Sequence, residues 1–310
     1  MPLEKPDAFA RVHPAVCLAP GLFVALSSGR REQAGPVRTR QILSEVEYVF
    51  DSPEALAVDD LRVLQGLFML ASRPAENVEL ETAAPRSPEG EALTAGLAVR
   101  ASLGAPTIAK YFTGGVSAVG SAAGYDGSAG GSRAVVEASL ARLLETEVAT
   151  IVDGEETFRS RLLAWTPLSD ASYGTERGER TAFALSPALS AHLLVGGEKT
   201  RHVRIEAREI SALGRSGAVR AIHQRICGFV DPGRSGKVGV GTMLAYAFGA
   251  TDSKDTERRR MGDIRKAMEA LGALPGWAVS HDDGDGRRRV YSIRRPPARR
   301  AAVQAAEESR

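Results

Sequence analysis

Residues 254–277 read KDTERRRMGDIRKAMEALGALPGW, a long amphipathic helix pattern with an unusual beginning. Apolar side chains recur at the spacing of one helical face: Met261, Ile264, Met268 and Leu271. This periodicity predicts a helix over 256–274. Three consecutive arginines, residues 258–260, stand near its start, although the positive end of the helix dipole favours acidic side chains there. The pattern indicates that a partner outside the helix binds this charge.

A β-hairpin pattern follows the helix. Residues 276–295, GWAVSHDDGDGRRRVYSIRR, alternate apolar and polar side chains on both sides of an acidic turn at 282–286. The turn lacks the ligand spacing of a calcium-binding EF-hand loop, so a plain hairpin turn is the better interpretation. A second arginine triplet, residues 287–289, comes directly after it. The helix and the hairpin therefore carry one triplet each.

The residues before this helix complete a recognisable order of elements. Residues 216–230 are predicted to form a helix, 237–241 a short strand, and 242–248 a short helix capped by Thr242. A helix-turn-helix followed by a β-hairpin is the arrangement of a winged-helix domain, in which the last helix enters the major groove of DNA.

A similar order occurs earlier in the chain. Its predicted elements are a helix over 58–72 capped by Asp59 or Asp60, a strand over 97–101, a short helix over 101–112, a helix over 132–145 capped by Ser132, a hairpin over 148–165 turning at Asp153-Gly154, and a third strand over 181–186. The sequence therefore predicts an α+β protein with two tandem winged-helix domains.

The predicted domain boundaries follow from this repetition. Residues 1–196 are the first domain, with a proline-rich N-terminal extension, and residues 197–297 are the second. Residues 298–310 are predicted to be a disordered tail. The glycine-rich insert at 114–132 is predicted to be a flexible linker, because Gly/Ser/Ala tracts behave as coil.

The same insert bears on catalysis. No lysine follows its glycines in the GxxxxGK[ST] pattern of a phosphate-binding loop, and the GxGxxG spacing is also missing. No nucleophile elbow, HExxH motif or catalytic cysteine signature occurs elsewhere. We therefore expect a binding protein without enzymatic activity and without a cofactor.

Charge and composition favour a nucleic-acid partner. The net charge is only +2, but residues 254–300 hold 13 Lys/Arg against 7 Asp/Glu. A basic block on an otherwise acidic chain is typical of proteins that bind nucleic acid. Two cysteines without a CxxC motif suit the reducing cytoplasm, and no apolar run is long enough to span a membrane.

The predicted DNA-binding residues lie on the two recognition helices and the two wings. In the second domain they are Lys254, Arg258, Arg259, Arg260, Arg265, Lys266, Arg287, Arg288 and Arg289. In the first domain they are Arg133, Glu137, Arg142, Arg159 and Arg161. Of the helix arginines, Arg258 is the one expected to read a base, because it lies nearest the helix start. The alternative is a solvated surface or an acidic protein partner.

One pair of residues has the spacing of metal ligands. His223 and Cys227 are four residues apart on a predicted helix, but no further His or Cys pattern completes a site. Core packing is therefore the preferred interpretation, and no metal is expected. Trp277 is likewise expected to pack the wing onto the recognition helix rather than to stack on a base.

Several segments resemble the IncQ-type plasmid replication initiators of the RepC family. They are HPAVCLAPGLFVAL (13–26), DDLRVLQGLFMLA (59–71), HVRIEAREISAL (202–213), RAIHQRICGFVDPGRSGKVGVGTMLAYAF (220–248) and the helix and wing that follow. The resemblance implies two winged helices that bind direct repeats, or iterons, of double-stranded DNA at a plasmid origin. It also implies opening of the adjacent DNA and help in loading a separate helicase and primase, with recognition helices at 132–145 and 256–271.

Other functions remain open at the level of sequence. A transcriptional regulator with duplicated winged helices would have the same pattern, and self-association into a homodimer is undecided. A nicking or priming enzyme would need a histidine cluster with a tyrosine nucleophile or a carboxylate pair, and the five histidines are scattered.

Overall fold

The computed structural model describes residues 9–26, 31–71, 77–79, 98–101, 110–125, 130–168, 180–194, 202–214, 216–249, 253–282 and 284–298. Its α-helices are α1 (Pro14–Leu18), α2 (Arg31–Ala34), α3 (Val58–Ala71), α4 (Val116–Ala122), α5 (Gly130–Glu145), α6 (Pro187–Leu194), α7 (Ala207–Ala212), α8 (Gly217–Phe229), α9 (Val240–Phe248) and α10 (Lys254–Gly272). Within these ranges no helix has the length and apolar character needed to cross a bilayer.

The strands form several small sheets. They are β1 (Phe9–Val12), β2 (Phe23–Val24), β3 (Val37–Leu43), β4 (Val46–Ser52), β5 (Leu56–Ala57), β6 (Asn77–Glu79), β7 (Ala98–Ala101), β8 (Lys110–Gly114), β9 (Glu147–Val152), β10 (Glu155–Arg161), β11 (Leu163–Leu168), β12 (Arg180–Leu185), β13 (Val203–Glu206), β14 (Ser235–Gly239), β15 (Ala278–His281) and β16 (Val290–Arg294). The larger sheets have the orders β3-β4-β9-β10-β7, β11-β12-β8-β6 and β14-β16-β15.

The C-terminal unit is a winged helix, as predicted. Its elements follow in the order α8, β14, α9, α10 and the β15-β16 hairpin, and β16 lies between β14 and β15 in an antiparallel sheet. The helix α10 begins after Ser253, whose side chain accepts a hydrogen bond from the Thr256 amide. Thr242 is not a cap, because α9 already begins at Val240. The order of elements places α10 and the wing side by side.

The N-terminal unit contains the elements of a second winged helix. Helices α3, α4 and α5 precede the β9-β10 hairpin, which turns at Asp153 and Gly154. Both turn residues have positive φ, as a two-residue type I′ turn requires. This hairpin is not a free wing, because β4 pairs with β9 and β7 pairs with β10. The predicted strand at 181–186, observed as β12, joins a different sheet with β11 and β8.

The linker prediction for residues 114–132 is wrong over much of its length. Residues 116–122 form α4, and α5 already begins at Gly130, so Ser132 lies inside that helix and does not cap it. A β-carbon on Gly66 of α3 would lie 2.8 Å from the Ala123 amide nitrogen. The glycine therefore allows α3 and α4 to pack with their backbones in close approach.

Two further predictions fall partly or wholly outside the described residues. The helix predicted over 101–112 is wrong at both described ends: residue 101 belongs to β7 and residues 110–112 to β8. The residues between them lie outside the described part, as does the predicted tail beyond residue 298.

The two winged-helix units share one hydrophobic core. Buried residues of α1, α3, α5, α8 and α10 belong to a single cluster. The N-terminal strand β1 pairs antiparallel with β13, which precedes the C-terminal winged helix. Between the units, buried Gln65 of α3 donates a hydrogen bond to Gln224 of α8 at 2.8 Å. The boundary predicted at residue 197 stays a prediction.

Candidate nucleic-acid interface

The helix α10 presents two basic rows outside its buried stripe. The stripe consists of Ile264, Ala267, Met268 and Leu271. Arg258 and Arg265 are exposed and seven residues apart, so they point the same way; we call them the cleft row. Arg259 and Lys266, also exposed and seven apart, form the outer row.

The cleft row faces the wing. Arg258 and Arg265 line a cleft of about 320 Å³ together with Arg289 of the wing. The other lining residues are Val240, Met261, Gly262, Asp285, Gly286 and Tyr291. Three guanidinium groups and one carboxylate therefore border a cleft that also has apolar walls. Such a site attracts an anion, because the positive charges outnumber the negative one.

The outer row flanks a glycine. Gly262 lies three residues after Arg259 and four before Lys266. It lies equally four residues after Arg258 and three before Arg265, so it separates the two rows and also borders the cleft. No atom lies within 4 Å of the position that its β-carbon would occupy. Packing within the described residues thus gives no reason for a glycine here, although glycine in a helix interior costs about 1 kcal/mol relative to alanine.

The wing is fixed to α10 at its turn. Arg287 forms an ion pair and a hydrogen bond with Glu257 in the first turn of α10. The Asp282 carboxylate accepts hydrogen bonds from the amides of Gly284 and Val290, which lower the pKa of Asp282. The Arg289 side chain donates to the carbonyl of Gly284. These contacts hold the arginine triplet in place beside the helix.

Several cations of this surface have no acidic partner among the described residues. Arg258, Arg259, Lys266, Arg288 and Lys254 are exposed and form no ion pair there. Arg265 approaches Glu269 only to 3.9 Å, with both side chains largely exposed, so this pair contributes little. Most of the positive charge of this surface is therefore available to an external partner.

Arg260 is placed differently from its neighbours. Its guanidinium lies 5.2 Å from the centre of the Phe248 ring at the end of α9. Partial burial lowers the pKa of Arg260, and the adjacent Arg259 lowers it further. Arg260 also borders a separate cleft with Pro20 and Thr39 of the N-terminal unit. It faces the N-terminal unit and not the cleft beside the wing.

The prediction that Arg142 is an exposed position of α5 is wrong. Its guanidinium donates to the Asp60 carboxylate at 2.9 Å, and Asp60 is fully buried. Asp60 also accepts from Arg31 and, at 2.7 Å, from the Ala57 amide. This last bond is the reciprocal half of a capping box, so Asp60 does serve the start of α3, although not as the N-cap residue itself.

The other predicted residues of the N-terminal unit are also engaged within the chain. Arg133 pairs with Glu137 at 2.8 Å on the exposed surface of α5. Arg159 pairs with Glu147 at 3.0 Å and with Glu156. Arg161 donates to the Glu145 carbonyl at 2.7 Å. Arg161 also lies 3.7 Å from a Glu147 oxygen, so acidic neighbours offset the charge of these arginines. Among the predicted DNA-binding residues that the structure describes, the positive surface offered to an anion therefore lies mainly on the C-terminal unit.

A buried polar network supports the base of the wing. His223 Nε2 lies 3.0 Å from a Glu209 carboxylate oxygen and 3.4 Å from Cys227 Sγ. The Trp277 indole donates to the other Glu209 oxygen at 2.8 Å. Core packing of His223 and Cys227 is confirmed by their burial. Trp277 is buried as well, and its contacts with Glu209 and His223 connect the start of the wing to α7 and α8; its packing onto α10 stays a prediction. Glu209 was not predicted, because no local pattern links it to His223.

The same network shifts two pKa values. Burial alone would lower the pKa of His223, but Cys227 and the hydrogen bond with Glu209 outweigh burial and raise it to about 9. Burial alone would raise the pKa of Glu209, and its bonds with His223 and Trp277 lower it instead. The pair is therefore held as imidazolium and carboxylate. Glu209, His223 and Cys227 each offer one atom that could bind a metal ion, and these three atoms lie within 4.8 Å of one another. That they hold no metal stays a prediction.

The sequence profile of the family "Replication protein C (RepC)" matches residues 5–296. The chain belongs to the RepC family. No curated protein matches it at a significant level. This membership confirms the resemblance seen in the sequence and assigns the chain to DNA replication.

A solved structure agrees on the fold. The crystal structure of domain 2 and domain 3 of RctB is similar over 89% of this chain and 95% of that chain, with a TM-score of 0.52 and 13% sequence identity. At this identity the likeness concerns the fold alone. The mixed α+β architecture is thus confirmed, and the DNA-binding role of each residue of this RepC-family chain stays a prediction.

Proposed function

We propose that this protein is a replication initiator that binds direct repeats of double-stranded DNA at a plasmid origin. It promotes opening of the adjacent DNA and helps to recruit a separate helicase and primase. The observation that carries the proposal is the positive charge of Arg258, Arg259, Lys266 and Arg288, which form no ion pair among the described residues, in a chain that belongs to the RepC family. Cations on a helix that can enter the major groove are suited to both phosphates and guanine edges.

A binding experiment tests the first step. The full-length chain is titrated onto a duplex with the repeats of its plasmid origin and onto a duplex of equal composition with the repeats scrambled. We expect tighter binding to the repeats and an affinity that falls steeply with salt, because phosphate contacts release counterions. Nuclease footprints over an array of direct repeats support an initiator. A footprint over a promoter palindrome would instead indicate a transcriptional regulator.

The later steps need separate measurements. Permanganate reactivity of thymines beside the repeats reports strand opening, and we expect it to rise only when the protein and the repeats are both present. Recruitment is tested by co-purification with the plasmid's helicase and primase on origin DNA. We also propose that the chain hydrolyses no nucleotide itself. ATP turnover by homogeneous protein that is lost on substitution within 114–132 would contradict this.

A further inference from the structure

We infer that α10 divides its positive charge between two tasks. The cleft row, together with Arg289, holds one phosphate strand of the DNA between helix and wing. The outer row, Arg259 and Lys266, reads base edges on either side of Gly262. The inference rests on the proposed function and deepens it, because it names the residues that select the sequence.

The dimensions of DNA support the assignment of the cleft row to a phosphate strand. An α-helix with its side chains is about 10–12 Å across, and the major groove is about 12 Å wide, so an inserted helix has a phosphate strand along each side. An element beside that helix must therefore lie across one strand. The wing occupies this place, and the cleft between wing and α10 is lined by Arg258, Arg265 and Arg289. Asp285 also lines it, leaving an excess of two positive charges.

The cleft is poorly suited to reading bases. The side of the cleft opposite α10 is formed by the wing, with Gly286, Arg289 and Tyr291. Because the wing stands there, a base edge deep in the major groove cannot enter the cleft. A phosphodiester matches it better, because guanidinium groups bind phosphate oxygens through paired hydrogen bonds. This differs from the expectation that Arg258 reads a base.

Gly262 supports the assignment of the outer row to base edges. It lies between the cleft row and the outer row, borders the cleft, and has no described atom within 4 Å of the position of its missing β-carbon. A glycine that costs the helix about 1 kcal/mol and has no packing reason among the described residues fits a close approach by something outside the chain. The floor of the major groove is the surface that meets this side of an inserted recognition helix. Arg259 and Lys266 then reach base edges on both sides of the contact.

The experiment compares substitutions in the full-length chain. Arg258→Ala and Arg265→Ala alter the cleft row, Arg259→Ala and Lys266→Ala the outer row, and Gly262→Ala the contact between them. Each variant is titrated onto repeat and scrambled duplexes over a salt series, and its thermal unfolding is measured. Arg288→Ala is the matched control for loss of a wing charge outside the cleft.

We expect two distinct patterns. Arg259→Ala should weaken binding to the repeat about 10- to 100-fold and to the scrambled duplex far less, so that preference falls. Arg258→Ala should weaken binding to both duplexes alike and reduce the salt slope by about one unit. Gly262→Ala should unfold at an equal or higher temperature yet lose preference for the repeat, which separates a DNA contact from a folding role.

The opposite patterns would overturn the inference. They are a loss of preference with Arg258→Ala together with a uniform loss with Arg259→Ala, or unchanged binding by Gly262→Ala. These results differ from a failure of the proposed function, in which the unmodified chain itself would show no preference for the repeats over the scrambled duplex.

Discussion

Asp60 connects three segments of the N-terminal unit through its carboxylate. It is fully buried, and its two oxygens meet Arg31, Arg142 and the Ala57 amide, which belong to three different segments. A buried carboxylate is tolerated only when such partners replace its hydration. Asp60 therefore joins the start of α3 to α2 and to α5, the helix that corresponds to the recognition helix of this unit.

Removal of this carboxylate should destabilise the protein strongly. Asp60→Ala leaves the Arg142 guanidinium partly buried and unpaired, and we expect a loss of about 3–5 kcal/mol in the free energy of unfolding. Urea unfolding checks this. Glu137→Ala, which breaks the exposed pair with Arg133, serves as the control and should cost less than about 1 kcal/mol. Equal losses of unfolding free energy in the two variants would show that the buried ion pairs of Asp60 contribute no more than an exposed pair.

His223 should make stability depend on pH. Its pKa is raised to about 9 in the folded chain, against an ordinary value of 6.5, so its contribution is complete below about pH 6.5 and is lost as the pH rises through 9. The pKa of Glu209 is lowered, so its contribution is present at neutral pH and is lost in acid. Between about pH 6.5 and 9, stability should therefore fall with rising pH.

Substitution tests this assignment. We expect His223→Gln to flatten the decline in urea stability between about pH 6.5 and 9, because glutamine does not titrate. His281→Gln, at an exposed histidine of the wing, should leave the decline unchanged. A variant of His223 that retained the full slope would assign the titration to another group.

At the level of elements, α4 is a helix in a segment whose composition predicts a flexible linker. Its sequence is dominated by Gly, Ser and Ala, yet Val116, Val119 and Ala123 lie at helical spacing and Val119 is buried. The contact with α3 is made possible by Gly66, which has backbone atoms of residues 119 and 123 close to the place of a β-carbon. Small residues on both helices allow this close approach.

Gly66→Ala should therefore be destabilising although alanine is the better helix former. The added methyl group would meet the Ala123 nitrogen at 2.8 Å and the Val119 carbonyl at 3.1 Å, and overpacking of this kind costs about 1–3 kcal/mol. Thermal unfolding measures the change. Gly131→Ala, in α5 with no atom within 4 Å, should be neutral or stabilising. A stabilised Gly66→Ala chain would contradict the close packing of α3 and α4.

At the level of the whole molecule, the N-terminus helps to build the C-terminal unit. Strand β1 pairs with β13, and Ala10 and Val12 are almost fully buried. The Tyr246 hydroxyl of α9 donates to the Cys17 carbonyl at 2.8 Å. A fragment that begins at residue 197 would lack these partners, so the DNA-binding contribution of each unit is better tested by substitution in the full chain.

Deletion of residues 1–12 should lower the stability of the entire protein. The deletion removes β1, exposes the edge of β13 and uncovers apolar side chains of the shared core, each of which weakens folding. We expect a lower unfolding temperature and weaker DNA binding. Deletion of residues 1–8 keeps β1 and is the control. Independent unfolding of the C-terminal unit at an unchanged temperature would contradict a shared core.

The sequence alone determined the C-terminal winged helix, because local periodicity and turn residues agree along α8, α9, α10 and the wing. Only the tertiary structure decided which cations face outward. Arg142 and Arg258 are both arginines on predicted recognition helices, yet one meets buried Asp60 and the other lines an open cleft. Partners such as Asp60 and Glu209 lie far away along the chain, and local patterns do not encode which distant groups folding brings together.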